Sequence, residues 1–254
     1  MSVDLSMNAP VAGANDPSAV DSSAVDLNAV DTSGIAAPKR CPLCHHTDVV
    51  FFHQDKDRSY FQCQQCELVT VPVSFYLDEA AEKAHYDCHN NDFADTGYQH
   101  FLSRALTPLL ARVKPNAKGL DFGCGEGAVL SQMAAQQGVK VSNYDLFYFP
   151  NHDLLQQQYD FVTMTEVLEH IANPQAIFQQ LQGLLNPSGK LAIMTKRVKG
   201  IAGFIDWHYK FDPTHINFYS LSTFEWIAKQ YQWQLEVIDN DVVMFHLPES
   251  ADTN

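Results

Sequence analysis

The sequence has no apolar run approaching the roughly 18 residues needed to cross a bilayer, so membrane insertion is excluded. It is also poor in positive charge. Sixteen Lys and Arg stand against thirty Asp and Glu, a net charge of −14. So acidic a chain repels phosphate backbones instead of recruiting them by counterion release, which disfavours nucleic-acid binding over a broad surface. The first residues, MSVDLSMNAP, carry acid where a secretory leader carries base and lack its apolar centre, which points to the cytoplasm. Residues 1–37 contain no Lys, no Arg and no aromatic residue. They repeat SAVD from Ser18 and Ser23 and NAVD from Asn28, a period of five that matches neither a helix face nor a strand face. A disordered low-complexity tail is expected there.

What is present is a chain of 254 residues, 46% hydrophobic, enough for one sizeable domain with a small appendage. Residues 38–75 hold two CxxC pairs around short β-type runs (VVFFH at 49–53, LVTVPV at 68–73). Residues 76–116 read as a helical linker or lid: DEAAEKAHY is one helix, and Phe101, Leu102, Ala105, Leu106, Leu109, Leu110 and Val113 form the stripe of a second, with a kink expected at Pro108. From 117 to 248 strands alternate with helices. AKGLDFG, KVSNYD, YDFVTM and KLAIMTK are predicted strands; VLSQMAAQ and the segment after Asn173-Pro174 are predicted helices, and NPSG (186–189) is a predicted turn. Ser222 and Glu225 have capping-box spacing at the start of a last helix. QLEVIDN and VVMFHL are close enough to form an antiparallel hairpin, and residues 249–254 are a short tail. The pattern implies an α/β fold with a mostly parallel, doubly wound sheet.

Asp121, Phe122, Gly123, Cys124, Gly125, Glu126 and Gly127 lie between a predicted strand and a predicted helix. Glycines there let the backbone approach a ligand and turn amides toward it. Asp145, at the end of the next strand, is placed to accept ribose hydroxyls. These segments resemble the class I S-adenosylmethionine-dependent methyltransferases, most nearly the group around the ubiquinone-biosynthesis O-methyltransferase, over about residues 117–247. LDFGCGEG is similar to the family's first motif, YDL to its ribose-binding acid, YDFVTMTEVLEH to its fourth-strand motif and LLNPSGKLAIMT to its fifth. The resemblance implies a seven-stranded Rossmann-like sheet of order 3-2-1-4-5-7-6. It implies that S-adenosyl-L-methionine is bound by Asp121, Phe122, Gly123, Cys124, Gly125 and Gly127, by Asp145 and Leu146, and by Thr165 and Glu166. Only fourteen residues separate Asp145 from Asp160, room for a third strand only in reduced form. Asp153 is the candidate for the adenine contact.

Methyl transfer to a hydroxyl needs alignment and a base, and His170 and His215 are the candidates. Anchoring a loop by a hydrogen bond is the competing role for each. Trp207, Tyr209 and Phe211 alternate and, if extended, would present three rings on one face as a wall for a flat acceptor. Lys196, Arg197 and Lys199 form a dense basic run at the same mouth.

Cys41, Cys44, Cys63 and Cys66 read CPLC, eighteen residues, then CQQC, the spacing of a closed four-thiolate structural zinc site. In a reducing compartment zinc is preferred over free thiols or two disulfides. The module is expected to be zinc-ribbon-like and to depend on its metal for folding. Similar modules precede methyltransferase domains in some sugar C-methyltransferases and in a ribosomal RNA guanine methyltransferase family. The overall charge favours a small-molecule methyl acceptor over RNA, with an RNA or protein methyltransferase that uses the module for recognition as the alternative. A cofactor-binding module without turnover and a nicotinamide dehydrogenase are the remaining alternatives; the GxGxG spacing and the C-terminal hairpin disfavour the dehydrogenase.

Overall fold

The computed structural model describes residues 34–88 and 91–249. The tail expected over residues 1–37 lies outside them as far as residue 33, as do residues 250–254 of the C-terminal tail. In chain order come three short strands, β1 (Val49–Gln54), β2 (Ser59–Cys63) and β3 (Val69–Thr70), then helices α1 (Glu79–Tyr86) and α2 (Thr96–Leu110). The main alternation follows: β4 (Lys118–Phe122), α3 (Val129–Gln136), β5 (Lys140–Tyr144), β6 (Tyr159–Thr165), α4 (Pro174–Leu184) and β7 (Leu185–Met194). After β7 come the one-turn α5 (Ile201–Phe204), β8 (Asn217–Phe218), α6 (Leu221–Tyr231), β9 (Gln234–Val237) and β10 (Val242–His246).

The large sheet has the order β5-β4-β6-β7-β10-β9, with β4, β5, β6 and β7 parallel and β10 antiparallel to both neighbours. This is the expected order 3-2-1-4-5-7-6 with its third strand absent among the described residues. A 3-10 turn, His152–Gln156, stands where that strand would run, because the short connection closes directly onto β6. Helices α2 and α3 cover one face, meeting through Leu102, Leu106, Val129, Leu130 and Met133. Ile177, Phe178 and Leu181 of α4 and Phe224 and Ile227 of α6 fill the other.

Local chemistry explains the helix ends. Asn173 accepts from the Ala176 amide with Pro174 at the first helical position. At α6 the capping box uses Ser220 and Thr223, two residues before the expected Ser222–Glu225 pair; Ser220 Oγ accepts from the Thr223 amide and Thr223 Oγ1 from that of Ser220. Pro108 sits in the last turn of α2 and has no N–H to donate to the carbonyl four residues back. The turn expected at 186–189 falls within the start of β7, where Ser188 has φ 61° and the pairing with β6 jumps from Leu185 to Lys190.

The second sheet has the order β1-β2-β3-β8, all antiparallel. Its last strand comes from the segment after β7, 147 residues beyond β3 in the chain, with Val69 opposite Phe218 and Thr70 opposite Asn217. Phe61, Leu68 and the buried cysteines belong to the same core as α4 and α6. The cysteine-bearing segment is thus built into the main domain and completed by it.

Candidate active site

The chain leaves β4 through Gly123 (φ 76°), where a Cβ would stand 2.4 Å from Val167 Cγ2. Gly127 is more restricted still, since a Cβ there would lie 1.8 Å from the Asn91 carbonyl oxygen, which packs over the loop. The amides of Gly123 and Cys124 donate to Tyr144 O (2.8 and 3.2 Å). That of Gly125 donates to Asp145 Oδ2 (3.0 Å), while Asp145 Oδ1 accepts from the amides of Phe147 (2.9 Å) and Tyr148 (3.1 Å). Asp145 therefore ties the glycine loop to the end of β5. Three backbone donors take up most of the roughly four lone-pair positions of a carboxylate, leaving about one for a ligand.

This loop forms one wall of a cavity of about 460 Å³, within the usual range for small-molecule sites. Asp121, Gly123, Cys124, Gly125, Asp145, Thr165 and Glu166 all line it, as do both histidines, His170 and His215. Phe122, Gly127 and Leu146 do not: Phe122 is buried against Tyr144, Gly127 backs onto Asn91, and Leu146 packs on the core. Asp153 is exposed and lies outside the cavity; on that side Phe147 and Tyr148 line it. Tyr86 from α1 and Tyr98, Phe101 and Leu102 from α2 complete the enclosure. The aromatic run LFYFP straight after Asp145, in place of a third strand, was the available signal for the first pair. Of the α2 residues, Phe101 and Leu102 belong to the predicted apolar stripe, whereas Tyr98 lies outside it.

The interior is acidic. Burial pushes the Asp121 carboxyl up to about 7, although Thr163 Oγ1 donates to it at 2.7 Å. Burial, and then the neighbouring Glu169, raise Glu166 to about 9; its Oε1 is buried without a partner. Glu169 is fully buried and raised to about 7 by desolvation, which the hydrogen bond donated by Tyr209 partly offsets. Burial and the nearby Asp121 and Asp145 hold the Cys124 thiol well above its ordinary value, the opposite of an activated nucleophile.

His170 and His215 meet edge to face with ring centroids 4.7 Å apart. Each presents Nδ1 to a backbone carbonyl, His215 to Tyr209 O at 2.7 Å and His170 to Thr214 O at 3.2 Å. A carbonyl only accepts, so both Nδ1 atoms carry the hydrogen. The Nε2 atoms lie 3.8 Å (His170) and 4.0 Å (His215) from Glu169 Oε1. Burial lowers His215 to about 4, so it is neutral near pH 7. The three side chains each offer one ligand atom, all within 4.8 Å of one another; the set can act as a carboxylate-backed base or accept a divalent cation.

Tyr209 is the one ring of the Trp207, Tyr209, Phe211 series that reaches the cavity. The segment forms a 3-10 turn, His208–Phe211, not an extended strand, so residues two apart do not share a face and Phe211 is left 56% exposed. Of the basic run, Lys196 lines the cavity, while Arg197 and Lys199 line an adjoining groove of about 310 Å³.

The four cysteines of the N-terminal pairs converge. Their sulfurs lie within 4.8 Å of one another, with Cys41 to Cys66 at 3.6 Å and Cys44 to Cys63 at 3.4 Å. A tetrahedral ion with Zn–S bonds of about 2.3 Å requires S···S separations of about 3.8 Å, whereas a disulfide requires about 2.05 Å. The two CxxC turns are built alike. In each the first cysteine's amide donates to the carbonyl five residues on (Cys41 to His46, Cys63 to Leu68), and the residue after the second cysteine has positive φ (His45 59°, Glu67 58°). The donor set and geometry fit one closed zinc site.

A methyltransferase domain family model matches residues 94–237, more than half of the chain. The chain belongs to this methyltransferase family, in agreement with the order of the large sheet. Among curated relatives, the ubiquinone biosynthesis O-methyltransferase of Shewanella pealeana is 31% identical over 90 residues (35% of this chain, 38% of the relative). That of Xanthomonas axonopodis pv. citri is 34% identical over 117 residues (35% and 48%). The chain thus spans less than half the length of these relatives. Among solved structures, the 1,6-didemethyltoxoflavin-N1-methyltransferase of Burkholderia thailandensis, bound to 1,6-didemethyltoxoflavin and S-adenosylhomocysteine, is 13% identical with a TM-score of 0.45, covering 78% of this chain and 99% of that one.

Proposed function

We propose that the protein is an S-adenosylmethionine-dependent methyltransferase acting on a small-molecule acceptor in the cytoplasm, with one structural zinc ion on Cys41, Cys44, Cys63 and Cys66. The observation that carries this reading is a single cavity lined by the glycine loop and Asp145 together with His170 and His215, which are backed by the buried Glu169. The cavity's chemistry suits the cofactor's ammonium and hydroxyl donors: Asp121, Asp145 and Glu166 present acceptor oxygens on the lining, and one Glu166 oxygen is buried without a partner. Gly123, Cys124, Gly125, Asp121 and Glu166 would hold the amino-acid part, Asp145 the ribose, and Phe147 and Tyr148 the adenine face. Because the Gly123, Cys124 and Gly125 amides are already bonded within the fold, this loop contributes shape and carbonyl groups more than amide donors.

The bound cofactor supplies an electrophilic methyl carbon on a positively charged sulfur. The protein's part is to fix the acceptor in line, which can contribute roughly 7–11 kcal/mol through effective molarity, and to remove its proton. A hydroxyl acceptor, as the relatives' name suggests, would give its proton to Nε2 of His170 or His215. Glu169 would stabilise the imidazolium, and the bonds from Nδ1 to Thr214 O and Tyr209 O keep the rings in the basic tautomer. Tyr86, Phe101, Lys196 and Tyr209 surround the space left for a flat, partly apolar acceptor carrying negative charge.

Calorimetry with S-adenosylhomocysteine and NAD, followed by incubation of labelled S-adenosylmethionine with fractionated cell extract and mass spectrometry, tests this. Micromolar binding of S-adenosylhomocysteine without NAD binding, and a small molecule that gains a methyl group, are expected. Absence of S-adenosylhomocysteine binding would rule the reading out.

A further inference from the structure

Tyr209, Asp212 and His215, which form the wall opposite the glycine loop, sit on a turn with little regular structure of its own. What holds this turn comes from the opposite end of the chain. Arg58, the residue before β2, is 8% exposed, and its guanidinium donates to four backbone carbonyls of the turn: Lys210, Asp212 (2.9 Å), Pro213 (3.3 Å) and His215 (2.9 Å). Asp55 receives the amides of Asp57 and Arg58 on one oxygen. With the other it accepts from the fully buried Lys210 ammonium at 2.7 Å and the Tyr60 hydroxyl at 2.9 Å. The chain continues from the turn into β8, bonded to the module by Val71 N to Ile216 O (3.1 Å) and Thr70 Oγ1 to Ile216 O (3.2 Å). At the far end of β2 stands Cys63. One five-residue strand therefore joins the four-cysteine cluster to the clasp on the turn.

We propose that Arg58 is a positioning residue for the acceptor half of the cavity, and that the cysteine module serves the reaction by holding Tyr209, Asp212 and His215 in place through it. The geometry suits the side chain. A planar guanidinium with five N–H donors can satisfy four carbonyls that point inward from one turn, which a lysine with three donors on a single nitrogen cannot. Among the described residues the glycine loop and Asp145 make no hydrogen bond or ion pair to Arg58, so the two halves of the cavity are held by separate means. The inference rests on the proposed function, in that it assigns the turn to the acceptor side.

The test uses the full chain and two readouts. Long-range 1H–15N correlation of the histidines reports the tautomer of His215, and calorimetry reports S-adenosylhomocysteine affinity. In the wild type His215 gives the Nδ1–H pattern set by Tyr209 O. Arg58→Met is expected to turn this into a mixture of tautomers and to raise amide exchange over residues 208–217 about tenfold. S-adenosylhomocysteine affinity is expected to change by no more than about threefold. Arg58→Lys should fall between the two, and stripping the cysteine-bound metal with a chelator should reproduce the Arg58→Met pattern. If Arg58→Met does not fold, Arg58→Lys and Thr70→Val carry the test, with smaller shifts in the same direction. An unchanged His215 pattern in the variants or after chelation overturns the proposal, and so does loss of S-adenosylhomocysteine binding in step with the tautomer change. A wild type that shows the His215 pattern but never binds S-adenosylhomocysteine would instead remove the proposed function.

Discussion

The two walls of the cavity are built in different ways. The glycine loop wall is shaped mainly within one stretch, β4 to β5, by bonds between residues about twenty positions apart, as from Gly125 to Asp145, with Thr163 of β6 donating to Asp121 from 42 positions away. The opposite wall is held by bonds that span 152 to 157 residues, from Arg58 to the turn at 210–215. A wall made of neighbours in sequence keeps its shape as long as its own strand and loop are intact. A wall made of distant segments depends on a second module being folded.

Breaking the module should show this most strongly. Structural zinc provides on the order of 10 kcal/mol of folding energy to small four-ligand sites. Cys63→Ser is therefore expected to abolish stoichiometric zinc and to raise amide exchange over residues 38–75, while calorimetric affinity for S-adenosylhomocysteine falls no more than about threefold. Parallel loss of both would erase the contrast between the walls.

The reverse experiment acts on the other wall. Asp145→Ala removes three charge-assisted hydrogen bonds and should weaken S-adenosylhomocysteine by roughly 10- to 100-fold, at about 1.5–3 kcal/mol for each such bond partly recovered by water; zinc content should be unchanged. Gly127→Ala places a methyl group on the Asn91 carbonyl. About 1–3 kcal/mol of stability should be lost in denaturant melts, as in other overpacked sites.

Stability should also depend on pH in a way that separates the groups. Glu166 is held up to about 9 from an ordinary 4.5, mainly by burial, so the folded chain favours its neutral form. That contribution is complete below 4.5 and is lost as pH rises through about 9. His215 is shifted down from 6.5 to about 4, so its contribution is complete above 6.5 and is lost as pH falls through about 4. Glu166→Gln should therefore raise the melting temperature progressively on the alkaline side and leave the acid limb as it was. The smallest effect belongs to the exposed pair Arg112–Glu236, whose bidentate hydrogen bonds join the end of α2 to β9. Arg112→Ala should cost only about 0.2–1 kcal/mol in the same melts, less at high salt, with both walls unaffected.

These contrasts also mark where the sequence could be read. Helices α1, α3 and α4 and strands β4, β5, β6, β9 and β10 follow from caps, glycine stops and apolar runs, all signals of a few residues' range. Strand β2, SYFQC, carries no such signal; it becomes a strand because β1 and β3 flank it and Cys63 must face Cys44. The Trp207–Phe211 alternation pointed to an extended wall, yet Arg58 and Lys210 draw the chain into a turn there. The Ser220–Thr223 capping box overlaps the Ser222–Glu225 spacing, and only the point where the preceding strand ends separates the two patterns.

The sequence by itself determined the glycine loop with its tethering acid, the two cysteine knuckles and the alternation that makes the sheet. Each is specified by backbone conformation and hydrogen bonding among residues close in the chain. Only the tertiary structure decided that His170 and His215 face one buried carboxylate, that β8 completes the cysteine module's sheet, and that Arg58 holds the far wall. Those partnerships arise because apolar surfaces of distant segments share one core, and burial then obliges their polar groups to find whatever partners lie beside them.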